Sequence, residues 1–101
     1  LPGEVQLNLF RIFQAGVNNI IRHSGASQAW VVLRIEPGGY RLEIGDNGRG
    51  FAYSPDLSGL TRAGHFGLAG MRERAEAIGA SLAVETVPGQ GTRVVVEGQV
   101  R

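Results

Sequence analysis

An acid and two glycines interrupt a strand pattern at Asp46-Asn47-Gly48-Arg49-Gly50-Phe51, directly after the alternating Tyr40-Arg41-Leu42-Glu43-Ile44. Glycine twice at that spacing frees the backbone for positive φ and admits a ligand with no Cβ in its way. A carboxylate at the end of a buried strand can accept a hydrogen bond deep in a pocket. Asp-Asn-Gly is also ordinary turn chemistry, and on this stretch alone both readings stand. A second cluster, Gly64-His65-Phe66-Gly67, stands where a helix begins. Helix N-termini present unpaired N–H groups and the positive end of the dipole, so an anion such as phosphate is a natural occupant. His65 either adds a hydrogen bond to that phosphate or only packs and caps. No Gly-Lys-Ser or Gly-Lys-Thr follows, which excludes a Walker loop, and no Gly-x-Gly-x-x-Gly joins a strand to a helix. Asn19 carries one amide oxygen suited to Mg²⁺, which takes few protein ligands and the rest from phosphates and water. An exposed asparagine near a helix end is the alternative. Arg22, one turn on, meets either a phosphate or only water.

These residues need elements to hold them. Residues from Glu4 to His23 read as one helix, with Leu9, Phe10, Phe13, Val17, Ile20 and Ile21 as its apolar face. Placed at roughly 100° intervals, Arg11, Gln14, Asn18 and Arg22 fall opposite. Ile12, Ala15, Gly16, Asn19 and His23 form a flank between the two, open to a ligand. Ser24-Gly25-Ala26-Ser27 ends the helix. Two strands follow, Gln28–Glu36 and Tyr40–Asp46, joined as a hairpin by Pro37-Gly38-Gly39. Ala29, Val31, Leu33 and Ile35 share one face of the first strand; Trp30 and Val32 share the other. From Ala52 to His65 no period survives, and a loop of that length in a small domain is usually functional or disordered. A second helix runs from Leu68 to Ile78, with Leu68, Met71, Ala75 and Ile78 as its stripe. The last third is Ser81–Val87 and Thr92–Gly98, joined through Pro88-Gly89-Gln90-Gly91. Paired strands predict an α+β fold in two layers, a mixed and mostly antiparallel sheet with helices on one face, rather than a doubly wound parallel sheet.

The 101 residues suit one domain, 1–101, with 43% hydrophobic and 19% charged residues. A net charge of +1 gives no nucleic-acid footprint. The absence of cysteine excludes disulfides and thiolate metal sites. No apolar run reaches membrane-span length. A start at Leu1-Pro2-Gly3, without methionine, reads as a piece of a longer protein.

Taken together and in order, these pieces resemble the ATP-binding domain of sensor histidine kinases, whose Bergerat fold is shared with DNA gyrase, Hsp90 and MutL. Leu9 to Gln14 through Asn19-Ile20-Ile21-Arg22-His23-Ser24 looks like the family's asparagine box. Asp46-Asn47-Gly48-Arg49-Gly50-Phe51 is similar to the first glycine box. Gly64-His65-Phe66-Gly67-Leu68-Ala69-Gly70-Met71-Arg72-Glu73-Arg74 is similar to the second, in the form of kinases that partner NarL-type response regulators. Pro88-Gly89-Gln90-Gly91-Thr92 resembles the last box. The resemblance implies ATP and Mg²⁺ as ligands. By it, Asp46 accepts from the adenine amino group and Thr92 supports it through water. Asn19 binds Mg²⁺, Arg22 lies near the phosphates, and His23, Gly48, Gly50 and Phe51 belong to the nucleotide site. Gly64, His65, Phe66, Gly67 and Leu68 wrap the phosphates, and residues 52–63 form a lid.

The resemblance has one departure. The family usually carries Glu-Ala-Leu after the glutamine, where this chain has Ala15-Gly16-Val17. A glutamate at position 15 would sit one turn before Asn19 and orient or deprotonate a nucleophile. Ala15 does neither, which bears on turnover more than on binding. The acceptor histidine is absent too; the resemblance places it on an upstream helical dimerisation domain. A cytoplasmic domain, monomeric by itself within a homodimeric kinase, is implied. Two other readings remain: a non-catalytic nucleotide-binding module, and a stand-alone anti-sigma-factor serine kinase. The Met71–Arg74 helix and the truncated start speak against the latter.

Overall fold

The computed structural model describes residues 1–50 and 67–100. Helix α1 spans Gly3–Asn19 and runs directly into a five-residue π-helical turn, Ile20–Ser24. Strands β1 (Ala29–Glu36) and β2 (Gly39–Asp46) form the expected hairpin, with Glu36 opposite Gly39. Helix α2 covers Leu68–Ala77, and β3 (Ser81–Thr86) and β4 (Thr92–Gln99) close the chain. The four strands lie in the order β1-β2-β4-β3, and every pair is antiparallel. No parallel strand enters the described sheet. The expected α+β, two-layer arrangement is what forms.

The core lies between the sheet and the two helices. Tyr40, Leu42 and Ile44 of β2 and Val94 and Val96 of β4 supply the sheet side; Leu9, Ile12, Leu68, Met71 and Ala75 supply the helix side. The α2 stripe is the expected one, with Ile78 packed partly against it. The α1 face is not. Ile12 is fully buried and Leu9 and Gly16 lie beside it, whereas Phe10 is 52% exposed and Ile21 77%. The reason is Gly16. A Cβ there would come within 2.8 Å of Ile44 Cδ1, so the helix approaches β2 along its smallest residue. That approach leaves Phe10 facing outward, while Phe13 still packs partly against the core. The two rings lie 6.3 Å apart and border an apolar groove with Val31, Leu33 and Ile35 of edge strand β1.

The opposite face of the sheet is polar and tied across strands. Glu43 meets Arg41 at 3.2 Å and Arg93 at 3.4 Å, while Arg93 also reaches Glu85. The Trp30 indole N–H donates to Glu43 at 2.8 Å. That hydrogen bond, then those to Arg41 and the charges of Arg93 and Arg41, holds the Glu43 carboxyl below its ordinary range, against a partial burial that raises it. Burial pushes the Tyr40 phenol up.

Two outcomes test this packing. Ile12→Ala should cost about 2–5 kcal/mol in urea unfolding, because it empties a fully buried site. Phe10→Ala should cost under about 1 kcal/mol, since a half-exposed ring has less to lose. Equal losses would restore the Phe10 face as the core. For Glu43, a lowered folded-state pKa means its contribution is present above the ordinary glutamate pKa. It is lost as pH falls through the lowered value. Glu43→Gln should therefore flatten the acid limb of the stability–pH curve, and an unchanged limb would show that this cluster contributes nothing.

Candidate functional site

A cavity of about 260 Å³ opens between α1, the π-turn, the ends of β2 and β4, and the first turn of α2. Its floor is apolar, made by Gly16, Ile20, Ile44, Leu68, Met71 and Val94. Its polar groups are Asn19, Arg22, His23, Ser24, Asp46, Arg49 and Thr92, with Gly50 at the edge. A mostly apolar cleft with a few convergent polar groups is what a small-molecule site requires. The cationic side chains Arg22 and Arg49 face it with a single carboxylate, Asp46.

Asp46 is the one buried charged residue among the described residues, 6% exposed. It ends β2, paired on one side with Ala29 and on the other with Thr92. Its Oδ1 accepts the Gly48 N–H at 2.7 Å. Its other oxygen has no hydrogen-bond partner among the described residues. Thr92 lies beside it on β4, its hydroxyl 2.9 Å from that of Thr86.

The loop glycines serve the chain's own backbone. At Gly48 a Cβ would collide with the Ser24 carbonyl and sit 2.8 Å from Asp46 Oδ1. Gly91, at φ +85°, faces the Asp46 carbonyl, where no side chain fits. Three loops are thereby pressed together. The Arg49 N–H donates to Ser24 O at 2.8 Å, and the Gly89 N–H donates to Arg49 O at 2.5 Å. Asn47 completes the knot. Its Oδ1 accepts the N–H groups of Ser27 and Gln28 at 3.0 and 2.9 Å, and its Nδ2 donates to Ser27 Oγ at 2.9 Å.

The π-turn corrects the straight-helix reading. An α-helix continued to His23 would put Arg22 away from the ligand-facing flank. In the structure Asn19, Ile20, Arg22, His23 and Ser24 all line the cavity. The wider turn takes up an extra residue, a device common at functional sites. Ser24 Oγ donates to Ile20 O at 2.8 Å, and Gly25 closes the turn at φ +62°.

The structure thus brings together Asn19, Arg22, His23, Asp46, Gly50, Leu68 and Thr92. Gly48 sits beneath Asp46, and Gly67 caps α2 at φ +76° next to Leu68. Ala15 is half-buried against the core and is not among the lining residues. Phe51, Gly64, His65, Phe66 and the 52–63 stretch lie outside the described residues. Sequence reasoning passed over Arg49, although it quoted the motif, and Asn47, whose capping use is ordinary Asx chemistry.

Residues 4–100 match the family described as histidine kinase-, DNA gyrase B-, and HSP90-like ATPase. The chain belongs to that family. Within it, the chain is 40% identical over 93 residues to the sensor histidine kinase LiaS of Bacillus subtilis (strain 168), covering 92% of this chain and 24% of that protein. It is 36% identical over 97 residues to the sensor protein VraS of Staphylococcus aureus (strain COL), covering 96% of this chain and 26% of VraS. The chain therefore spans about a quarter of the length of these relatives. Among solved structures, the histidine kinase domain of the Erythrobacter litoralis EL346 blue-light activated kinase superposes with a TM-score of 0.76 at 22% identity. The match covers 96% of this chain and 45% of that one. The ATP-binding domain of PrrB from Mycobacterium tuberculosis gives 0.68 at 25% identity, covering 88% and 64%. In this ATPase-family domain the cavity sits where the asparagine and glycine motifs converge.

The Asn47 knot yields a measurable outcome. Asn47→Ala removes three hydrogen bonds at the surface and should cost about 1–2 kcal/mol in chemical denaturation. Wild-type stability in the variant would mean that these bonds merely exchange with water.

Proposed function

We propose that the chain is the nucleotide-binding module of a sensor histidine kinase. It holds ATP with Mg²⁺ and donates the γ-phosphoryl group to a histidine on a separate dimerisation domain. The observation that carries the reading is Asp46: a buried carboxylate at the cavity, one oxygen fixed by Gly48 and the other without a partner among the described residues. Such a group selects a donor, and the adenine amino group is one. Thr92 supports the same edge through water. The apolar floor accepts the purine faces. Asn19, Arg22 and His23 stand on the other wall, suited to the triphosphate, and Gly67 and Leu68 bring the start of α2 with its unpaired N–H groups. Gly64, His65 and Phe66 extend that phosphate cradle by motif.

Among the described residues no three His, Cys, Asp or Glu side chains gather to hold a metal. The donor set fits a cation that takes one protein oxygen, from Asn19, and the rest from phosphate and water. Mg²⁺ supplies charge neutralisation at the phosphates when bound. In the transfer, the acceptor imidazole nitrogen forms a bond to the γ-phosphorus as the bond to the β–γ bridging oxygen breaks, and ADP leaves. The protein contributes chiefly position and electrostatics. The partners of this reading are the dimerisation domain of the same kinase and a NarL-type response regulator. The domain works in the cytoplasm, monomeric by itself within a homodimeric kinase.

Asp46→Asn presents an amide donor to the adenine donor, and a site built on one hydrogen bond discriminates strongly when it is lost. Titration calorimetry with a non-hydrolysable ATP analogue should show at least ~10²-fold weaker binding. Unchanged affinity removes Asp46 from the site.

Ala15 supports a second reading, a module that binds nucleotide without turning it over. It stands where the family usually has glutamate, half-buried and off the cavity wall. Ala15→Glu should leave affinity within a few fold and raise phosphohistidine formation when fused to a helical histidine domain. General bases typically contribute ~10²–10⁴-fold. Equal rates in the two forms would acquit position 15, and an acid beside the acceptor histidine would become the base.

A further inference from the structure

We infer that Arg49 is a further binding residue of the base site, its guanidinium lying over the outer face of the purine as the open wall of that site. The inference rests on the nucleotide reading above. Arg49 stands between the two glycines of the first motif and lines the cavity. Its backbone is held on both sides, by Ser24 O at 2.8 Å and by the Gly89 N–H at 2.5 Å, so its Cα cannot drift. Its side chain lies along Gly25. A Cβ on Gly25 would be 3.1 Å from Nη2, 3.7 Å from Nε and 3.9 Å from Cζ. A residue with no side chain thus leaves room for the guanidinium to lie across the end of the π-turn.

Its charge is not used in an ion pair among the described residues. Arg41 and Arg93 on the sheet each bridge glutamates, but the Arg49 guanidinium has no hydrogen-bond or ion-pair partner among the described residues. It also stands at the base end of the cavity. Asp46 is three residues earlier, joined to the same turn by the Gly48 N–H, and Gly50 packs against the turn that leads into Thr92. Arg22 approaches from the π-turn instead. A planar, delocalised and weakly hydrated cation stacks on aromatic faces, which a point-charge ammonium does less well. Ile44, Met71 and Val94 supply apolar surface below, and Arg49 supplies the cover above.

The test compares adenosine, ADP and a non-hydrolysable ATP analogue by calorimetry on wild type, Arg49→Ala, Arg49→Lys and Arg22→Ala. Unliganded melting curves confirm that each variant is folded. Arg49→Ala should weaken all three ligands alike, by roughly 3- to 30-fold, with Arg49→Lys recovering only part. Arg22→Ala should weaken the phosphorylated ligands and spare adenosine. Adenosine affinity unchanged in Arg49→Ala, a loss that grows with the number of phosphates, or full recovery by lysine would each overturn the stacking role. Failure of the wild type to bind any of the three overturns the nucleotide reading itself, and is seen before any substitution is compared.

Discussion

Asp46 is fixed from four directions, and the site depends on that. Its backbone is laddered to Ala29 and Thr92, its carbonyl is faced by Gly91, and its carboxylate takes the Gly48 N–H. A charge so deeply buried costs free energy unless a partner meets it, and here one oxygen has its partner while the other is held ready at the cavity. The glycines on either side follow from the same constraint. They exist because the Ser24 turn, the 48–50 loop and the 87–91 turn touch backbone to backbone. Chain segments far apart in sequence become one rigid rim, and a rim of backbone is harder to deform than one of long side chains.

The helix that faces this rim must change its winding to serve it. Up to Asn19 its inward stripe is set by packing: Leu9, Ile12 and Gly16 touch the core. Beyond Asn19 packing no longer governs, and the π-turn presents Ile20, Arg22, His23 and Ser24 to the cavity together. Regular α-helix would have kept the stripe and lost the cluster. The bond from Ser24 Oγ to Ile20 O and the left-handed Gly25 hold the wider turn in place. Fold and site therefore meet within one continuous helical segment.

Much of this was legible because the motifs are local. Asp46 and Asn19 could be singled out from residue type and spacing and Thr92 through the family resemblance, and the hairpin, the α2 stripe and the antiparallel pairing followed from alternation and turn residues. The α1 face was misread at Phe10 and Ile21 because periodicity weighs bulk. Phe10 and Ile21 outweigh Gly16 in any apolar count, yet Gly16 decides the contact by having nothing to put in the way of Ile44. The π-turn was illegible for a related reason: an extra residue in a turn leaves no mark in a pattern of period 3.6. Arg49 was hidden in plain view, inside a motif whose glycines drew the attention.

Charge is divided between the two faces in a way that separates folding from binding. On the outer face Arg41 and Arg93 are ion-paired with Glu43, Glu85 and Glu97 across β2, β3 and β4. Exposed pairs of this kind contribute little each to stability, but they engage Arg41 and Arg93 with glutamates rather than with a ligand. At the cavity the balance is reversed, with Arg22 and Arg49 set against Asp46 alone. A chain whose net charge is only +1 thus gathers two cations and one carboxylate at a single cavity. On the proposed nucleotide reading, those cations would attract the phosphates and the buried carboxylate would select the base. Neither could do the other's work. A phosphate site alone would accept any nucleotide, and a single carboxylate would repel the polyanion it has to hold.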